Sequence, residues 1–157
     1  MKVEIKREIE SELELGTKAI ISCTDILRKK FTNEFIEDVN LRTASNRLFL
    51  AIEHFANCMT LLEYGGFSKK HMKDIEKYKI ISEKLKFDVN LKELYVESYG
   101  IRKYADYGGV GESEFRRERV ESILKNTLIF TDSLIKIMKE KKIKIPKELI
   151  KISKRGY

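Results

Sequence analysis

Tryptophan and glutamine are absent from this 157-residue chain, proline occurs once, and cysteine and histidine occur twice each. Each scarcity excludes a class of protein. The two cysteines, Cys23 and Cys58, sit among apolar residues at helical spacing and form no CxxC or Cys/His pattern, so they read as reduced core residues. His54 and His71 have no acidic or Cys partner at ligand spacing, and no metal site is expected. The GxxxxGK, GxGxxG and GxSxG motifs are all missing, so the sequence calls for no cofactor. No apolar run approaches a membrane span, and the opening "MKVEIKREIE" has no secretory hydrophobic stretch. The expectation is a cytoplasmic protein with no membrane span.

Charge is abundant instead. Hydrophobic residues make up 42% of the chain and charged residues 36%, the balance of a globular protein with an ionic surface. A chain dense in Lys, Glu and Ile, without Gln, has the composition of heat-adapted intracellular proteins. Its length fits one domain with a core of its own. There are 32 Lys and Arg against 25 Asp and Glu, a net charge of +7. Nine of the basic residues and two of the acidic ones fall from Lys136 onward, leaving 23 of each sign before it. The positive excess therefore belongs to the C-terminal segment, which divides the chain into a bundle over 1–139 and a basic tail over 140–157. Within that tail Ile143, Ile145, Leu149, Ile150 and Ile152 alternate with lysines. After Pro146 the pattern fits a short amphipathic helix able to touch RNA, an anionic surface or a partner chain, although lysine-rich ends are commonly just solvated.

Apolar residues recur at steps of three and four through most of the chain. Ile5, Ile9, Leu13, Gly16, Ile20, Cys23 and Leu27 form one stripe of a long first helix, with Gly16 allowing close backbone approach. Leu41, Ala44, Leu48, Ala51, Phe55, Cys58 and Leu62 mark a second helix, stopped at "YGGF" where Gly65 or Gly66 can take the left-handed cap. A third, more polar helix is expected over 69–86, capped by Ser68. Asp88 or Asn90 opens a fourth, with Leu91, Leu94, Ser98, Ile101 and Ala105 facing inward, and "GGVGE" ends it. Glu112 or Ser113 opens a fifth running to about residue 138, with Val120, Ile123, Thr127, Phe130, Leu134 and Ile137 on one stripe. No segment shows strand alternation. The fold class is all-α, an antiparallel four- to five-helix bundle.

The stretch "YGIRKYADYGG" over 99–109 carries the chemistry. On an ideal helix Tyr95, Tyr99, Arg102 and Asp106 fall within about 60° of one another, at the rim of the apolar face. Arg102 could hold a phosphate bidentately and Tyr95 or Tyr99 could stack on a base. The same spacing also fits a plain Arg102 to Asp106 ion pair with tyrosines covering the core edge. Tyr107 lies about 140° round the helix from Arg102 and meets it only if the helix end unwinds or a second subunit contributes. On the second helix Asn46 and Glu53 are seven apart and share a side, so an inward Asn46 could hydrogen-bond Arg102, or the pair could form a solvated flank.

Two stretches resemble the HEPN superfamily of prokaryotic helical proteins, including those encoded beside minimal nucleotidyltransferases. They are "ASNRLFLAIEHFANCMTLLEYGGFSKKH" and "IRKYADYGG", and the likeness spans about 41–138. The resemblance implies a helical bundle, a homodimer with the motif helices facing a shared cleft, and, in active members, metal-independent RNA cleavage. Those members place a histidine shortly after the arginine matched by Arg102. Here Tyr107, Gly108 and Gly109 occupy those positions, and Lys103 stands where a small polar residue is usual.

Cleavage of RNA through its 2′-hydroxyl needs a base to take the proton and a cation for the phosphorane charge. Arg102 answers the second need. For the first the candidates are Asp106, Tyr107 or His54. The leading reading is thus a HEPN-like dimer that binds RNA or a nucleotide, possibly as a partner of a minimal nucleotidyltransferase in a toxin–antitoxin-type system. The alternatives are a degenerate ribonuclease toxin and a non-catalytic adaptor that binds another protein.

Overall fold

The computed structural model describes residues 1–108 and 116–155. Among these residues the chain is all helix and turn, with six helices: α1 (Val3–Leu27), α2 (Glu34–Tyr64), α3 (Ile75–Leu85), α4 (Leu91–Tyr107), α5 (Arg117–Glu140) and α6 (Lys147–Arg155). None is long and apolar enough to cross a membrane.

The apolar stripes decide the packing. Ile9, Leu13, Ile20, Cys23 and Leu27 on α1 are buried against α2, whose Leu48, Phe49, Ile52, Phe55 and Met59 form the centre of the core. Gly16 is where the two helices come closest: a Cβ there would lie 2.5 Å from Phe55 Cε1. The opposite side of α2 receives α4, and α5 closes the bundle against both. Buried hydroxyls that would otherwise be orphaned turn back onto their own helices, as with Thr17 to the Leu13 carbonyl (2.6 Å) and Thr127 to the Ile123 carbonyl (2.7 Å). Both cysteines are buried and free. Burial pushes the Cys23 thiol up to about 12, and burial followed by the charge of Glu12 raises Cys58.

Helix ends follow local chemistry. Asn33 and Asn90 cap α2 and α4 by accepting backbone amides, Asn90 Oδ1 from Lys92 at 2.9 Å and Glu93 at 3.3 Å. Gly65 closes α2 in the left-handed conformation at φ 74°. The third helix starts later than its pattern suggests. It begins at Ile75 rather than near residue 69, because residues 69–74 are a turn in which Met72 adopts φ 65°. Ser68 does not cap it; instead the Ser68 amide donates to Asp74 Oδ2 at 2.5 Å, and Asp74 pairs with Lys77 at 2.7 Å. The start expected for α5 at Glu112 or Ser113 lies outside the described residues, as do the glycines after Gly108.

The C-terminal segment, read as a tail, is attached to the bundle. A helix forms after Pro146, and Ile143, Leu149 and Ile152 are buried against α5 and α1. Ser153 hydrogen-bonds Asp132 on α5, and the Lys144 amide donates to Glu10 on α1 at 3.1 Å. Packing of this amphipathic helix gives the bundle its sixth member and leaves Lys151 and Lys154 exposed.

Candidate functional site

Three segments meet around the ring of Phe49. This residue lies on α2, is fully buried, and sits between Asn46 and Glu53 on the face turned to α4. Its ring centroid is 5.5 Å from His71, 5.5 Å from Tyr95 and 5.6 Å from Tyr99. The Arg102 guanidinium carbon stands 4.8 Å over the same ring, a cation–π contact. The ring fixes where the imidazole and the guanidinium can go.

Their polar contacts set the protonation pattern. Arg102 Nη1 lies 3.3 Å from His71 Nε2. A guanidinium has only donors, so Nε2 accepts, and the proton of the imidazole is on Nδ1, which donates to Glu53 Oε1 at 2.5 Å. The Tyr95 hydroxyl donates to the same oxygen at 3.3 Å and is itself hydrogen-bonded to the Met72 backbone. Burial, then the charge of Glu53, pushes the Tyr95 hydroxyl well above its ordinary range, so it stays protonated as a donor. The left-handed Met72 thus follows directly on a histidine that is held from both ring nitrogens.

The turn bearing His71 is anchored at its far end by Asp74. Burial works against this carboxylate, but the hydrogen bond from Lys77, the Ser68 amide and the lysine charges outweigh it and hold the carboxyl below its usual range. The helix bearing Arg102 is anchored by Arg42. Its Nη1 donates to the carbonyls of Tyr104 (3.1 Å), Ala105 (2.9 Å) and Gly108 (3.2 Å), while Nε binds Asp38 at 2.7 Å. Those carbonyls are the ones a helix end leaves unmatched. Gly108 is extended (φ −77°) and not left-handed, so this end is closed by an arginine from α2.

The residues singled out in the sequence separate accordingly. Arg102, Glu53, Tyr95 and Tyr99 come together at Phe49. Tyr95 is 1% exposed and packs on Tyr78 at 4.9 Å, so it has no face for a base and acts as a positioning group. Tyr99 is half-buried at the rim with Lys103 Nζ 5.5 Å from its ring. Asn46 does not reach Arg102; its Nδ2 donates to Asp106 Oδ1 at 3.0 Å, and its Oδ1 is buried without a partner. Asp106 lies 3.6 Å from Arg102 Nε and is engaged by both neighbours. Tyr107 is 86% exposed on a last turn that stays helical, so the unwinding needed to bring it to Arg102 does not occur. His54 faces α1, where Nδ1 is 2.8 Å from Glu12.

His71 and Phe49 are the members that the sequence did not single out. The pairing of His71 with Glu53 spans 18 positions across the α2–α3 turn, beyond any ligand spacing. Among the described residues no group of three or more His, Cys, Asp or Glu is arranged to hold a metal ion. No family model, no curated protein and no solved structure matches this chain.

Proposed function

We propose that this chain is a HEPN-like protein that binds the phosphate of RNA or a nucleotide at Arg102, working as a homodimer beside a nucleotidyltransferase in a toxin–antitoxin-type pair. The observation that carries the binding reading is a contrast among half-buried arginines. Arg42 and Arg117 direct their donors at backbone carbonyls and carboxylates, Arg117 reaching Glu37 at 2.8 Å and the Leu27 carbonyl at 2.8 Å. Among the described residues Arg102 makes one 3.3 Å hydrogen bond to His71 and a 3.6 Å ion pair with Asp106. Its planar fork is held over Phe49 and remains able to grip a phosphate in two places. Asp106 opposes an anion here, and its hydrogen bond from Asn46 draws the carboxylate toward α2. Tyr99 supplies a partly open ring for a base next to that phosphate.

The second protomer is assigned to the α2 face that continues this edge. Phe35 and Val39, 72% and 47% exposed, are one turn apart, and Val39 lies seven residues before Asn46 on the same stripe. The nucleotidyltransferase partner rests on the resemblance of "IRKYADYGG" and the α2 stretch. Titration of labelled RNA and of ATP against wild type and Arg102→Ala tests the reading: a loss of about 10- to 100-fold is expected from removing a charge-assisted contact, and equal affinities would overturn it.

A further inference from the structure

Phosphate binding at Arg102 leaves Glu53 and His71 without a role, although both are held in fixed orientation beside it. Glu53 Oε1 receives the Nδ1 proton of His71 at 2.5 Å and the Tyr95 hydroxyl at 3.3 Å, which fixes the ring with its Nε2 lone pair toward Arg102. A structural histidine of this kind would place Nε2 against a permanent donor; here the donor is the cation that a phosphate would engage. Once a phosphate takes Nη1, Nε2 is left unprotonated next to the bound phosphodiester. That is the arrangement of a general base, a carboxylate orienting an imidazole and a cation beside it.

We propose that His71 is a catalytic residue that removes the 2′-hydroxyl proton of an RNA bound through Arg102, with Glu53 as its positioning residue. The proposal rests on the reading of Arg102 as a phosphate site. In the step, His71 Nε2 takes the proton, the 2′-oxygen forms a bond to phosphorus, and the bond from phosphorus to the 5′-oxygen breaks. The departing oxygen leaves with its electron pair and takes a proton from water, giving a 2′,3′-cyclic phosphate and a 5′-hydroxyl. Arg102 neutralises the charge that develops on the phosphorane. The base therefore comes from the turn between α2 and α3, not from the end of α4.

The test uses the full chain, an end-labelled RNA oligomer in EDTA, and a 2′-O-methyl oligomer of the same sequence as a ligand that cannot react. Wild type is expected to release cyclic phosphate from the RNA. His71→Ala should cleave about 10²- to 10⁴-fold more slowly, bind the 2′-O-methyl oligomer as wild type does, and recover part of its rate with added imidazole. Should the Ala variant lose helical circular dichroism, His71→Asn keeps a donor to Glu53 and serves in its place. Glu53→Gln should slow cleavage without weakening binding, and imidazole should not restore it. Wild type that binds but does not cleave, or His71 variants that cleave at the wild-type rate, would overturn the base while leaving the phosphate site standing. Wild type and Arg102→Ala that both fail to bind would remove the phosphate reading, and this proposal with it.

Discussion

His71 stands 31 residues before Arg102 in the chain, yet its Nε2 lies 3.3 Å from the guanidinium Nη1, with Glu53 holding the other ring nitrogen. The contact exists because three separate devices converge on it. The turn after Gly65 returns the chain over the end of α2, Asp74 pins that turn, and Arg42 holds α4 helical as far as Tyr107. Each device can be removed by itself.

Arg42→Met keeps much of the stem and removes the donors to three carbonyls and Asp38. It is expected to cost about 1–3 kcal/mol, the range for buried groups left without partners. Amide hydrogen exchange should speed up over the last turn of α4. The same variant should weaken RNA binding, since Arg102 sits one turn before that end.

Asp74 makes the turn acid-sensitive. Its folded carboxyl is held below the model value of 3.8, so its contribution is fully present above the unfolded value and is lost as pH falls through the folded one. Acid titration followed by the His71 ring signals should therefore show the turn loosening from about pH 4 downward. Asp74→Asn should remove that step and lower stability at neutral pH.

Gly16→Ala places two effects in opposition. Alanine favours the helix by about 1 kcal/mol, but the new Cβ would meet the fully buried Phe55 ring at 2.5 Å. That ring has no space to retreat into, and overpacking of this kind costs about 1–3 kcal/mol. Thermal melting should give a lower Tm than wild type.

The cysteines should be silent in the folded state. Burial raises Cys23 to about 12 and also raises Cys58, so neither offers thiolate at pH 8. A thiol reagent should modify neither in buffer and both in denaturant.

Phe35→Glu with Val39→Glu places two charges on the face assigned to the second protomer. Sedimentation should move from dimer to monomer with the helical spectrum unchanged. A dimer that survives both changes would put the interface elsewhere.

The helical frame was legible because its rules are local. The stripes through Ile9 and Leu13, through Leu48 and Phe55, and through Leu94 and Ile101 are all buried, and the stops at Gly65 and Asn90 fall where their side-chain chemistry requires. Arg102, Tyr95 and Tyr99 could be placed on one edge for the same reason. The partner of Arg102 could not, since His71 reaches it through a turn whose left-handed Met72 carries no sequence signature. Asn46 was misassigned because periodicity says which side a residue faces and not which of two neighbours, Arg102 or Asp106, it will meet. The late start of α3 has the same origin: Ser68 has the chemistry of a cap, but its amide is taken by Asp74.

The central claim is that Arg102 is the group that grips phosphate, and its side-chain Nε–H resonance reports on it directly. In protein labelled with 15N-arginine, that signal is identified by its loss in Arg102→Lys and followed as a short RNA is added. The account predicts that it shifts with RNA concentration while the Nε–H signals of Arg42 and Arg117, bonded to Asp38 and Glu37, stay in place. An Arg102 signal that does not move at RNA concentrations that shift other resonances would contradict it.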